Sequence, residues 1–243
     1  MCVIIGSFQK EANMNFSDRL YVTFVCIFCT VLILTNVVGT KLIPAPFFPH
    51  MPLCAAILVY PLTFLLCDIV SEIWGEERTH WMVRLGFFMS LIMLGISQAV
   101  LYLPAHSAWA HSGHIFGYQT VAEYQKAFES VFKIGPVMVG ASLTAYLSSQ
   151  WTSIRIFHIL KKITSERHLW LRNNLSTIIS QGIDTLIINS ILLFYGFHLD
   201  LKLGFQILGS VYLYKIAFAL LDTPLCYVGV KLVRQALAKR ATA

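Results

Sequence analysis

Five ionisable residues stand inside otherwise apolar stretches of the chain: Asp68, Glu72, Asp184, Lys215 and Asp222. A charge at the centre of a bilayer costs roughly 2.5–3.5 kcal/mol on insertion scales, so five unpaired ones would cost about 10 kcal/mol or more. Such groups must face one another, take a proton, or contact a polar ligand. Asp68 and Glu72 are four apart and share a helix face. Two carboxylates so placed repel unless a cation or a donor-rich ligand lies between them, or one is protonated. Pro61 precedes Asp68 by seven residues, near the same face, where it is expected to free a backbone carbonyl. The structural alternative is that Asp68 and Glu72 sit at the cytoplasmic end of their helix and merely pair with Arg78 or Arg84.

Other polar residues repeat at helical spacing. Thr177, Gln181 and Asp184 form one stripe, and Lys215, Ala219, Asp222 and Cys226 another, with Pro224 kinking the second helix. Lys215 and Asp222 are two turns apart, roughly 10 Å, so a structural pairing of Lys215 falls to either Asp184 or Asp222. Ser142, Tyr146 and Gln150 are spaced by four, and Gly140, Ala141, Ala145 and Ser149 suit close helix approach. Asn36 stands with Thr35, Gly39 and Thr40, either as helix glue or as a ligand contact. Phe64, Trp74, Tyr146, Tyr195 and Phe218 add aromatic faces. Carboxylates, amides, an ammonium and rings together suit a flat polar heterocycle: rings stack on its faces and directional groups read its edge. A carboxylate matches adjacent N–H donors such as N1–H and the 2-amino group of a guanine-like base. No hydrolase, metalloprotease or P-loop motif is present, so no catalytic residue, cofactor or resident metal is expected, and an ATP-driven pump is excluded for this chain alone. Cys26 and Cys29, within an apolar helix, read as filler. His106, His111 and His114 read as a solvated loop.

The elements that hold these residues must be membrane helices. The 243 residues are 57% hydrophobic and 12% charged, about half the charge of a soluble domain, with a mean hydropathy of +0.68. Neither a disordered chain, a coiled coil nor a nucleic-acid binder has this composition, despite the net charge of +6. Six continuous apolar runs predict an all-α bundle of six spans in a single membrane domain: about 18–41, 51–73, 81–103, 132–149, 175–197 and 203–230. The long connection, Pro104 to Val131, is expected to hold one short amphipathic helix around Val121 to Phe128. With six spans, thirteen lysines and arginines fall on one side and four on the other, which predicts both termini in the cytoplasm. The first run is expected to stay as an uncleaved anchor.

Several segments together resemble the queuosine precursor transporter family, also called the vitamin-uptake-transporter family. They are Pro61-Leu-Thr-Phe with Asp68, Glu72 and Gly75; Ala141-Ser-Leu-x-Ala-Tyr146 with Gln150; Arg172-Asn-Asn with Ser176, Ser180-Gln181, Asp184 and Thr185; and Lys215 with Asp222-Thr-Pro224 and Tyr227. Asn36 is a weaker match. The resemblance implies a six-helix carrier of the bacterial inner membrane for a 7-deazaguanine base, in likeness to the substrate-binding subunits of vitamin importers. The substrate contacts it suggests are Asn36, Phe64, Asp68, Glu72, Tyr146, Gln150, Gln181, Asp184, Lys215 and Asp222. Two alternatives stay open. One is a capture subunit with an ATPase partner docked on the face of Ala141, Ala145 and Ser149. The other is an intramembrane enzyme. The choice among deazapurines, the energy coupling and the oligomeric state are not readable in the sequence.

Overall fold

The computed structural model describes residues 14–39, 41–44, 52–133, 136–191, 194, 198 and 200–241. Thr40 and Tyr195, named above, lie outside them, as do positions 51 and 197, which bound two of the expected spans. The described residues form eight α-helices and one small hairpin. They are α1 (Phe16–Val38), β1 (Leu42–Pro44), β2 (Pro52–Cys54), α2 (Pro61–Trp74), α3 (Glu76–Leu101), α4 (Trp109–Ile115), α5 (Val121–Phe132), α6 (Pro136–Ile163), α7 (Leu169–Ser190) and α8 (Leu201–Ala241).

Local chemistry sets several boundaries. Asn15 caps α1 by accepting the Asp18 amide at 2.8 Å, and Tyr21, Val25, Phe28 and Leu32 carry the buried stripe down that helix. The second expected span is corrected at its start. Pro52–Cys54 pairs with Leu42–Pro44 as an antiparallel hairpin, a short 3-10 turn follows over Ala55–Leu58, and α2 begins only at Pro61. Pro61 therefore initiates its helix, where a missing N–H goes unneeded, and frees no carbonyl inside it. Gly75 makes the α2–α3 corner at φ 88°, a conformation that a side chain would strain. The outer connection holds two helices, α4 and α5. The second is fixed by a capping box between Thr120 and Glu123. Trp109 packs on Tyr124 and Phe128.

Among the described residues, four helical segments are long and apolar enough to cross a membrane: Phe16–Val38, Ala55–Trp74, Glu76–Leu101 and Gly204–Arg240. Their outer faces are apolar, with Ile27, Phe88, Ile96 and Leu213 exposed. α6 and α7 are as long, but their polar residues lower the average. In α7 those residues point inward: Arg172, Asn173, Asn174, Ser176, Thr177, Ser180, Gln181, Asp184 and Thr185 are all buried. Three further boundaries move. α6 runs Pro136–Ile163 where 132–149 was expected, because Phe132 still belongs to α5. α7 begins at Leu169, not Leu175, which brings Arg172 into the helix. α8 continues past Val230 to Ala241, about 60 Å in all.

α6 and α7 pack most extensively, and α7 also lies on α8. α2 packs on α1, α3, α6 and α8. Ala141, Ala145 and Ser149 are buried inside the bundle. The face suggested for docking an ATPase is thus occupied by this chain's own helices, because small residues let helix backbones approach.

Candidate substrate site between α2 and α7

α2 and α7 do not pack closely backbone to backbone. Long side chains join them at two levels. At one level, both oxygens of Glu72 are taken by cations. Arg234 Nη2 donates to Oε1 at 2.7 Å and Arg172 Nη2 to Oε2 at 2.8 Å. Lys161 Nζ stands 3.2 Å from Oε2 and donates to the Glu72 carbonyl at 3.2 Å. Arg172 is fully buried, with its guanidinium over the Phe157 ring. The pairing of Glu72 with Arg78 or Arg84 is corrected: Arg78 reaches Asp18 at 2.7 Å, and Arg84 donates to the carbonyl of His80. These contacts collect the starts of α1, α3 and α7 and the ends of α2, α6 and α8 at one basic end of the bundle.

The second level lies twelve residues away along both helices, about 18 Å. Asp184 there accepts from the Tyr60 hydroxyl at 3.0 Å and from Lys215 Nζ at 2.5 Å. Lys215 also sits 5.7 Å from the centre of the Tyr60 ring, and Phe64 meets that ring edge-on. Of the two partners suggested for Lys215, the one it pairs with is Asp184.

Between the levels lie the remaining polar groups. Cys67 Sγ donates to Gln150 Oε1 at 3.2 Å, and Gln150 Nε2 donates to Thr63 Oγ1 at 3.4 Å. Three buried atoms, Asp68 Oδ2, Gln181 Oε1 and Thr185 Oγ1, have no hydrogen-bond partner among the described residues. Asp68 Oδ2 and Gln181 Oε1 are pure acceptors between the levels, Thr185 Oγ1 is a hydroxyl beside Asp184, and at the first level the buried Arg172 Nε likewise has no partner. Asp222 is half-buried on α8, and its field reaches Asp68. Other expected residues stand apart. Tyr146 donates to the Val83 carbonyl on α3 at 2.9 Å. Asn36 is half-buried in the last turn of α1. Trp74 packs on Tyr21 and Phe24 of α1, and Phe218 on the Leu53, Ile57 and Tyr214 cluster. The expected substrate contacts do not include Tyr60, Lys161, Arg172 or Arg234. The three cations are among the thirteen charges that bear on topology, and Arg172 stands as well in the family segment Arg172-Asn-Asn; nothing local marks Tyr60 except its place before Pro61.

Residues 54–229 match the family described as "Putative vitamin uptake transporter". The chain belongs to this transporter family. A curated relative, the "Probable queuosine precursor transporter" of Bacillus subtilis (strain 168), is 30% identical over 178 residues, covering 72% of this chain and 71% of the relative. No solved structure matches the chain. The family match takes in α2 to α7 and α8 as far as Gly229, so both levels of the α2–α7 junction fall inside it except for Arg234. This vitamin uptake transporter family member is therefore a multi-pass membrane transport protein whose polar helix faces turn inward.

Proposed function

We propose that this chain carries a 7-deazaguanine base, a precursor or salvaged form of queuosine's base, across the bacterial inner membrane. The observation that carries the reading is the pair of buried acceptors without donors, Asp68 Oδ2 and Gln181 Oε1, between the two ion-paired levels. A guanine-type edge supplies adjacent N–H donors. In the proposed pose Asp68 accepts from N1–H and the 2-amino group, and Gln181 accepts from a further ring N–H. Gln150 or Lys215 donates to the ring carbonyl, and Phe64 and Tyr60 flank the ring. Asn36, Tyr146, Asp184 and Asp222 shape the polar wall. Glu72 takes part through its cations, since a base can bond to it only by displacing Lys161 or Arg234. The relative's printed name supports the same substrate class.

The reading includes six spans, α1, α2, α3, α6, α7 and α8, with the basic end in the cytoplasm. α7, at 22 residues or about 33 Å, is long enough to cross, and its inward polar face explains its low average hydropathy. Nothing in the bundle calls for an ATPase. The test is a thermal-shift and binding screen of the purified chain with guanine, 7-cyano-7-deazaguanine, 7-aminomethyl-7-deazaguanine, queuine, uracil and vitamins, followed by uptake into liposomes without nucleotide. The expected result is stabilisation by the deazaguanines and uptake of at least one of them. Stabilisation by a vitamin alone, or uptake that requires an added ATPase, overturns the reading.

A further inference from the structure

The Glu72 cluster has a feature that the substrate site does not require. Its four members come from four helices: Glu72 from α2, Lys161 from α6, Arg172 from α7 and Arg234 from α8. The cluster borders a cleft of about 430 Å³ at the basic end, lined by Glu72, Arg172, Tyr227, Val230 and Arg234 among others. The members differ in exposure. The Arg172 side chain is 0% exposed and that of Glu72 4%, whereas that of Arg234 is 61% exposed. The Arg172 link is locked inside the bundle, and the Arg234 link is wet and breaks without stranding a buried cation.

α8 is also built to move there. Pro224 offers no N–H to the carbonyl of Leu220, so the helix is weakest ten residues before Arg234. Beyond it, the half of α8 that carries Arg234 packs on α2 through Ile69, Cys226, Val230 and Val233, with Leu20 and Phe24 of α1 and Leu169 of α7 at the edge of the same cluster. At Gly229 a Cβ would lie 2.5 Å from Ile69 Cδ1, so this half rests on α2 without a side chain intervening.

We infer that Arg234 is the latch of a gate at the basic end: its bond to Glu72 holds the second half of α8 against α2, and release lets that half swing about Pro224 to open the α2–α7 interior. This rests on the transport reading of the bundle, but its test needs no substrate, so either can fail alone. Cys226 lies on the proposed moving half, two residues beyond Pro224, and is fully buried against α2, whereas Cys29 is half-buried on α1 against α3. The full chain in detergent micelles is treated with N-ethylmaleimide, and the modification of each cysteine is followed by peptide-resolved mass spectrometry. Arg234→Ala is expected to label Cys226 about five-fold faster than the native chain, the equivalent of about 1 kcal/mol, with Cys29, half-buried in the α1–α3 cluster, unchanged. Arg234→Lys, which keeps a donor, is expected to stay near the native rate. Adding Pro224→Ala to Arg234→Ala is expected to slow the labelling again. A native rate at Cys226 in Arg234→Ala, or a parallel rise at Cys29 that would report general loosening of the bundle, overturns the latch. An unchanged rate on adding Pro224→Ala overturns the hinge.

Discussion

At the basic end of the α2–α7 junction one carboxylate, Glu72, faces three cations. About 18 Å away, one carboxylate, Asp184, faces one ammonium and one hydroxyl. The first level carries excess positive charge and the second is balanced. Depth accounts for the difference. Arg234 reaches water, which screens surplus charge. Lys215 and Asp184 are only 14% and 2% exposed, and an unmatched charge there has no solvent to fall back on. The region between has neither solution: the buried Asp68 Oδ2 lacks any partner among the described residues. Two ion-paired levels around a middle with unpartnered acceptors suit a carrier whose ligand supplies donors there.

Glu72→Gln tests the first level most severely. It leaves Arg172 buried without a counter-charge, and breaking a buried pair costs about 3–5 kcal/mol. The expected outcome is a large drop in melting temperature and in folded yield from membranes. A native melting temperature would show that the excess cations do not depend on Glu72.

Lys215→Met strands Asp184 at the balanced level, with a loss near the lower limit of that range, about 3 kcal/mol, because Tyr60 still donates to Asp184. Adding Asp184→Asn should recover part of the stability, read as a higher melting temperature for the double variant. No recovery would mean that the two residues do not act as a pair.

Asp68→Asn should act oppositely to both. Removing a buried charge with no partner leaves the melting temperature at or above the native value, while deazaguanine affinity falls roughly 10- to 150-fold, as for a charged hydrogen bond of about 1.5–3 kcal/mol. Titration calorimetry separates the two effects. Unchanged affinity would move the donor-reading role to Gln181. The smallest effect is expected from Arg234→Ala, below about 1 kcal/mol in stability. A larger loss in thermal unfolding would make the exposed arginine as structural as the buried one.

The apolar runs marked the membrane helices because length and hydropathy are local quantities. Their ends were less legible. Pro61 lies in an apolar run that continues back towards Met51, and only the pairing of Pro52–Cys54 with Leu42–Pro44 shows that the helix begins at the proline. The inward stripe of α7 was legible from the spacing of Thr177, Gln181 and Asp184, because helical periodicity fixes which residues share a face. The lysine and arginine bias likewise singled out residues that the fold gathers at one end. Tertiary structure alone decided the partners. Arg172 and Arg234 lie 100 and 162 residues from Glu72, and Tyr60 lies 124 from Asp184. A sequence shows that a buried carboxylate needs a counter-charge, but several cations here could supply one. Which of them does so depends on how the helices are placed around α2, and that is set by the packing of the whole bundle.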